Sequence, residues 1–180
     1  PCSEIHDYIG NDIKKQHSSG VNNSSEYWEL WNLVFLQSNR QEDGSLGELP
    51  SIHVDTGAGL ERLAAVMQSK NSNYDTDLFR PIISAIEKKA GSKYKNHPTP
   101  HRVIADHIRM LCFSIADGAL PSNEGRGYVL RRILRRASRF GRSIGLVKPF
   151  LHDLVSVVIE IMGEDFPELI ERKSHIKNVI

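Results

Sequence analysis

The chain has 180 residues, of which 39% are hydrophobic, so it is long enough for one large or two small globular domains. No apolar run approaches the roughly 20 residues of a membrane-spanning helix, which excludes an integral membrane protein. The net charge of +1 conceals an asymmetry: residues 125–152 carry seven arginines, one lysine and no acid, whereas acids outnumber bases elsewhere. This asymmetry predicts a polyanionic partner for one part of the chain only.

The first 49 residues read as strands joined by polar segments. Alternating polarity predicts a strand end within residues 1–9, and the Gly-, Ser- and Asn-rich segment 10–26 predicts a loop. The aromatic and aliphatic residues of 27–37 predict the strongest strand. A turn at Asp43-Gly44 then predicts an antiparallel hairpin or meander.

Asn32 is the polar residue within the predicted strand 27–37. On a strand it would share one face with Leu30 and Val34. An amide between apolar neighbours is costly to bury without a partner. We therefore weigh two interpretations: an amide satisfied by neighbouring backbone, or a pocket residue that holds a polar ligand group.

Residues 51–67 predict a short strand, a glycine turn and a helix. Ile52 to Thr56 suit the strand, Gly57 and Gly59 suit a sharp turn, and four apolar residues then fall at helical spacing: Leu60, Leu63, Ala64 and Met67. The strand ends near Asp55, and Arg62 lies in the first helical turn. Such a unit can bind a zwitterion or a nucleotide, or can be an ordinary connection with surface charges.

The remainder of the chain is predicted to be helical, with helices beginning near Pro81, at Thr99-Pro100, near Pro149 and near Pro167. The residues predicted to be buried are Ile82, Ile83, Ile86 and Ala90 in the first helix, Ile104, Ile108, Leu111, Cys112 and Ile115 in the second, and Leu151, Leu154, Val155, Val158 and Met162 in the third. His97 and His101 are spaced like zinc ligands, but the intervening Pro98 and Pro100 argue against a shared helical face, so we predict no metal site. His107 is predicted to be only a polar neighbour of the apolar stripe.

Residues 121–145 predict an amphipathic helix with one cationic face. Its apolar face comprises Leu130, Ile133, Leu134, Ala137 and Phe140, and its cationic face comprises Arg131, Arg132, Arg135, Arg136, Arg139 and Arg142. Such a face is either solvated and paired with acids such as Asp106 or Asp117, or it binds a phosphate backbone; the absence of acids favours phosphate. Asn123, in the preceding turn, is a candidate base-reading amide.

Five segments, in this order, resemble alanyl-tRNA synthetases: W-N-L-V-F at 31–35, V-D-T-G-A-G-L-E-R at 54–62, S-N-Y-D-T-D-L-F at 72–79, R-V-I-A-D-H-I-R at 102–109 and P-S-N-E-G-R-G-Y-V-L-R-R-I-L-R-R at 121–136. The resemblance covers nearly the whole chain. It implies an α+β fold, with residues 1–72 as the C-terminal half of a class II catalytic domain containing an antiparallel sheet. Residues 73–180 would be a helical domain for the tRNA acceptor stem, truncated at its C-terminus.

The resemblance also implies the chemistry: ATP, as its Mg²⁺ complex, activates alanine to alanyl-adenylate, and alanine passes to the 3′ end of tRNA-Ala. It assigns alanine binding to Asn32, Val34, Asp55 and Gly57, and ATP binding to Leu30, Trp31, Asn32, Gly59 and Arg62. It assigns tRNA binding to Asn123, Arg126, Arg131, Arg132, Arg135, Arg136 and Arg139, with Asn123 reading the G·U wobble pair. No residue is assigned as a general acid or base, and zinc is expected only in an editing domain that this chain lacks.

Two features limit the resemblance. The family has His-Tyr-Asp where this chain has His6-Asp7-Tyr8, so that segment receives no role. The first two class II signatures are expected before Pro1, so we interpret the chain as an internal fragment that is inactive alone. The alternatives are a non-catalytic RNA-binding module, or a ligase for another small amino acid. Two cysteines, both expected to be inert, and no export leader indicate the cytoplasm, or an organelle.

Overall fold

The computed structural model describes residues 1–180, which form two compact units, Pro1–Thr76 and Asp77–Ile180. The first unit is α+β and the second is helical, so the predicted fold class is confirmed. The sequence-based domain boundary, between residues 72 and 73, lies four residues before the division between the units. No helix in the chain is both long and apolar enough to cross a bilayer.

The first unit is built on a three-stranded antiparallel meander in the order β1-β2-β3. Its strands are β1 (Cys2–Tyr8), β2 (Tyr27–Arg40) and β3 (Leu46–Ala58). The strands and the turn between β2 and β3 are confirmed, but β3 extends back through Pro50 to Leu46. Proline is tolerated there because β3 is an edge strand and need not donate on its open side.

The connection from β3 to the following helix, α1 (Leu60–Met67), differs from expectation. Gly57 lies within β3, Gly59 is the N-cap of α1 with φ −80°, and neither adopts a positive φ. The predicted order of strand, glycine and helix is confirmed, with Gly59 as the single residue between β3 and α1, but Gly57 belongs to the strand and neither glycine uses its conformational freedom. In α1 the buried residue is Ala65, whereas Met67 is 85% exposed.

The second unit contains α2 (Arg80–Ala90), α3 (Pro98–Ala116), α4 (Gly125–Ser143), α5 (Leu151–Met162), α6 (Pro167–Glu171) and α7 (Lys173–Val179). Helix α3 is central, since α2 and α4 to α7 all contact it. Every residue predicted to be buried in α2, α3 and α5 is buried except Ala90, which is half-buried. Burial raises the pKa of the Cys112 thiol to about 12, as expected for an inert thiol.

Two local expectations in this unit are wrong. Helix α3 begins at Pro98, before the predicted Thr99-Pro100 start, because prolines in a first turn cost no intrahelical hydrogen bond. The predicted last helix is interrupted at Arg172 and forms α6 and α7. His107, the predicted polar neighbour of the apolar stripe, is itself buried, at 9% exposure, and contacts Asp106.

His101 shows why α3 can begin at two prolines. It is fully buried, and its ring nitrogens lie 2.7 Å from the His97 carbonyl oxygen and 3.0 Å from that of Ser92. A neutral imidazole has one N–H, so the ring donates to one of these carbonyl oxygens and packs against the other, between the incoming loop and the first turn of α3. The four-residue spacing of His97 and His101 therefore places the His101 ring against the carbonyl oxygen of the N-cap residue of α3.

Ile108 tests the core of the helical unit. It lies at the centre of α3 and is fully buried. Ile108→Ala should lower the free energy of unfolding by about 2–5 kcal/mol, because the cavity it leaves cannot fully collapse. Ile170→Ala, at a residue that is 54% exposed, is the matched control and should cost less than about 1 kcal/mol. Urea unfolding followed by far-ultraviolet circular dichroism measures both, and equal losses would contradict this core assignment.

Candidate functional site

The strand register brings four of the predicted site residues onto one face of the sheet. Val34 pairs with Asp55, and Asn32 pairs with Gly57, across the antiparallel strands β2 and β3. Directly opposed residues share a face, as do residues two apart on one strand. Asn32, Val34, Asp55 and Gly57 therefore form one contiguous patch, which we call the amide–carboxylate face.

A register shift interrupts the face at Leu30. On β1, Ile5 pairs with Trp31 but His6 pairs with Glu29, so Leu30 has no partner. A bulge of this kind breaks the alternation of side chains along the bulged strand. The predicted common face is confirmed for Asn32 and Val34, whereas the irregular pairing beside Leu30 assigns its side chain to neither face.

Trp31 lies on the opposite side of the sheet from Asn32, its neighbour on β2. Its indole Nε1 donates a hydrogen bond to Oγ1 of Thr56, which in turn donates to the Asn32 carbonyl oxygen at 3.1 Å. The sheet thus separates Trp31 from the amide–carboxylate face. Of the candidate site residues on β2, Asn32 and Val34 lie on that face and Trp31 does not.

The Asp55 carboxylate is exposed and has no ion-pair partner. Its Oδ1 accepts a hydrogen bond from the Thr56 backbone N at 2.9 Å, which fixes the side chain. No lysine, arginine or histidine forms an ion pair with it. A cationic group brought to this face would therefore find an unpaired carboxylate.

The Asn32 side chain is satisfied on one side only. Its Nδ2 donates to Oε1 of Glu4 at 3.3 Å, whereas its Oδ1 is buried and has no partner. The structure thus supplies an acceptor for the amide nitrogen but no donor for the amide oxygen. The nitrogen is satisfied within the protein, whereas the oxygen remains available to a polar ligand group. Sequence reasoning missed Glu4, because nothing in the sequence aligns it with Asn32 before the register is known.

Arg62, in the first turn of α1, borders a cavity of about 400 Å³ whose lining includes His6, Asn22 and Glu29. The Arg62 Nη1 donates to the Glu29 carbonyl oxygen at 2.6 Å. No side chain caps the N-terminus of α1. A guanidinium beside uncapped helical N–H groups is suited to bind an anion.

The cationic face of α4 is confirmed as a solvent-exposed surface. All six of its arginines are exposed, and none forms an ion pair with a carboxylate: Arg131, Arg132, Arg135, Arg136, Arg139 and Arg142. The suggested partner Asp106 instead contacts His107 at 2.9 Å. Four of the arginines border an open groove of about 650 Å³ that also contains Phe140. An unneutralised face of this kind favours a polyanion.

Asn123 is held against the same helix. Its Oδ1 accepts a hydrogen bond from Nη1 of Arg131. The turn that carries Asn123 folds tightly over α4, since a Cβ at Gly127 would lie only 2.4 Å from the Leu120 carbonyl oxygen. Gly127 is thus a positioning residue that sequence reasoning missed, although the G-R-G spacing was visible.

The comparisons with known proteins cover the whole chain. The family model described as tRNA synthetases class II (A) matches residues 1–180. The chain is 51% identical over 185 residues to the alanine–tRNA ligase of Chlorobium chlorochromatii, covering 100% of this chain and 21% of that protein. It is 50% identical to the alanine–tRNA ligase of Anaeromyxobacter sp. strain Fw109-5, and the match covers 99% of this chain and 21% of that protein. It is 52% identical to the alanine–tRNA ligase of Shouchella clausii, and the match covers 87% of this chain and 18% of that protein. The chain spans about a fifth of the length of the curated relatives it matches.

Proposed function

Because this chain belongs to the class II tRNA synthetase family (A), we propose that it is part of an alanine–tRNA ligase. In this reaction the alanine carboxylate attacks the α-phosphate of ATP to give alanyl-adenylate and pyrophosphate. The alanyl group then passes to the 3′ end of tRNA-Ala, and AMP is released. The observation that carries this proposal is the amide–carboxylate face, where a free carboxylate and a half-satisfied amide lie on adjacent strands. These are the groups that a small amino acid's ammonium needs.

Alanine binds on the amide–carboxylate face in this proposal. Asp55 pairs with the ammonium and Asn32 accepts from it, while Val34 contacts the methyl group. A Cβ at Gly57 would meet nothing within 4 Å, so the space beside it is open to a substrate. One methyl group in a hydrophobic pocket contributes only about 1–3 kcal/mol, so discrimination against glycine is intrinsically weak.

ATP, carried as its Mg²⁺ complex, binds beside the start of α1. Arg62 exchanges its contact with the Glu29 carbonyl oxygen for the phosphates. Gly59, whose N–H lies 3.2 Å from the Leu30 carbonyl oxygen, borders the nucleotide together with Leu30 and Asn32. The Trp31 side chain lies on the opposite face of the sheet from Asn32, so the part assigned to Trp31 falls to its backbone. Phosphate binding at this point is supported by the uncapped helix N-terminus.

The helical unit holds the tRNA acceptor stem. The arginines proposed to contact the phosphate backbone are Arg126, Arg131, Arg132, Arg135, Arg136 and Arg139. Asn123 reads the G·U pair, whose guanine amino group needs an acceptor. A carbonyl oxygen has two lone pairs, so Asn123 can accept from Arg131 and from guanine together. We place the protein in the cytoplasm, in keeping with two cysteines that form no disulfide.

A chimeric enzyme tests the proposal. The matched 185-residue segment of the Chlorobium chlorochromatii ligase is replaced by this chain, and exchange of pyrophosphate into ATP is measured. We expect alanine-dependent exchange, with glycine lower in kcat/KM by only about 10- to 200-fold, as one methyl group allows. The unmodified ligase is the control. A folded chimera that binds acceptor-stem RNA but exchanges no pyrophosphate would replace this proposal with a non-catalytic RNA-binding module.

A further inference from the structure

Three hydrogen-bond donors from three segments converge on the carboxylate of Glu4. Its Oε1 accepts from Nδ2 of Asn32 at 3.3 Å. Its Oε2 lies 2.9 Å from Nε2 of His6 and accepts from Nδ2 of Asn22 at 3.2 Å. Strand β1, strand β2 and the loop between them therefore meet at one anion, which we call the Glu4 junction.

The Glu4 junction decides which way the Asn32 amide faces. The hydrogen bond from His6, and then the one from Asn22, lower the pKa of the Glu4 carboxyl, so it is ionised at neutral pH. An ionised carboxylate can only accept, so Asn32 must direct its nitrogen to Glu4 and its oxygen away. That oxygen is the buried atom without a partner.

The same carboxylate supports the wall of the neighbouring cavity. Asn22 adopts a left-handed backbone, with φ 61°, and its side chain reaches back to Glu4. Asn22 and His6 both line the 400 Å³ cavity that Arg62 borders. Glu4 thus joins the amide–carboxylate face to the cavity without itself lying among the cavity's lining residues.

Resting on the proposed function, we propose that Glu4 is a positioning residue for alanine activation: it orients Asn32 so that the amide oxygen accepts from the substrate ammonium. Glu4 acts through Asn32 and does not contact the substrate. Glutamine has the same shape but only one acceptor oxygen, so Glu4→Gln cannot satisfy both Asn32 and Asn22 as the carboxylate does. The Asn32 amide is then free to reverse.

The kinetic test uses the chimeric ligase. We expect Glu4→Gln to raise the KM for alanine about tenfold, the scale of a lost charge-assisted hydrogen bond, with the KM for ATP within about twofold. In an Asn32→Ala background the same change should have no further effect on the KM for alanine. Glu48→Gln, a carboxylate-to-amide change opposite Ser38 at the other end of β3, is the matched control. Equal increases in both KM values, or additive effects of the two substitutions, would overturn the proposal.

A second measurement is independent of activity. In the ¹⁵N-labelled 180-residue chain, Glu4→Gln should shift the side-chain amide resonances of Asn22 and Asn32, and Glu48→Gln should shift neither. Unmoved Asn32 resonances would overturn the proposal even if the chimera is active. Shifted resonances with an unchanged KM for alanine would overturn it as well. An inactive chimera built with the native Glu4 would instead refute the proposed function.

Discussion

Replacing Asp55 by asparagine in the chimeric ligase is expected to abolish most alanine activation. The asparagine oxygen can still accept from the Thr56 backbone N, the contact that holds the native side chain at 2.9 Å. The substitution therefore removes charge without removing the local hydrogen bond. Loss of one member of a desolvated charge pair costs about 2–5 kcal/mol, which is about 30-fold to several thousand-fold in kcat/KM. Alanine-dependent pyrophosphate exchange measures the loss.

The control for Asp55→Asn is Glu48→Gln, which removes an exposed carboxylate from the same strand. It should change kcat/KM by less than about twofold, since an isolated surface charge contributes little. Asp55→Ala should lose at least as much activity as Asp55→Asn. If Asp55→Asn kept more than a third of the native kcat/KM, Asp55 would not be the ammonium partner, and alanine would have to bind elsewhere.

The second large effect is expected on the cationic face of α4. Arg132, Arg135 and Arg139 lie along one line of the helix and border the same groove. Changing all three to glutamine should weaken binding of an acceptor-stem RNA hairpin to the 180-residue chain about 100-fold at physiological salt, because each phosphate contact releases counterions. The slope of log affinity against log salt concentration should fall by about three. Fluorescence anisotropy across a salt series measures both quantities.

Two comparisons make the arginine result specific. Changing Lys88, Lys93 and Lys95 to glutamine removes the same charge from exposed positions of the same unit, and should leave the salt slope almost unchanged. Asn123→Ala should leave overall affinity nearly intact but reduce the preference for a G·U over a G·C hairpin, since phosphate contacts position the RNA and base contacts specify it. Equal losses in the arginine and lysine triple variants would indicate a general charge effect.

In the arginine face and the helical core, the local sequence pattern predicts which residues are buried and which are exposed. Leu130 and Ala137 are buried while Arg131 and Arg135 are exposed, as the 3.6-residue period requires. The same reasoning found the buried residues of α2, α3 and α5. Helical spacing alone does not imply burial: Met67 has that spacing in α1 but is 85% exposed, because spacing identifies a face and only packing decides whether that face is covered.

The contacts within the candidate site could not be predicted from side-chain periodicity. Asn32 and Glu4 are 28 residues apart, and they meet only because the register pairs them. One shifted residue between β1 and β2 removes the regular pairing at Leu30. Arg131 reaches Asn123 because the turn before α4 folds back over Gly127. Each of these contacts depends on an alignment that a periodic pattern does not encode.

The amino-acid sequence alone determined the antiparallel meander, the apolar stripes of the helices, the unneutralised arginine face and the placement of Asn32 and Asp55 on neighbouring strands. These follow from side-chain periodicity and turn chemistry, which act over a few residues. Only the tertiary structure decided which side of the Asn32 amide is satisfied, where α3 begins and what Asn123 contacts. Those outcomes depend on pairing between distant segments, since a one-residue difference in register redirects every side chain that follows.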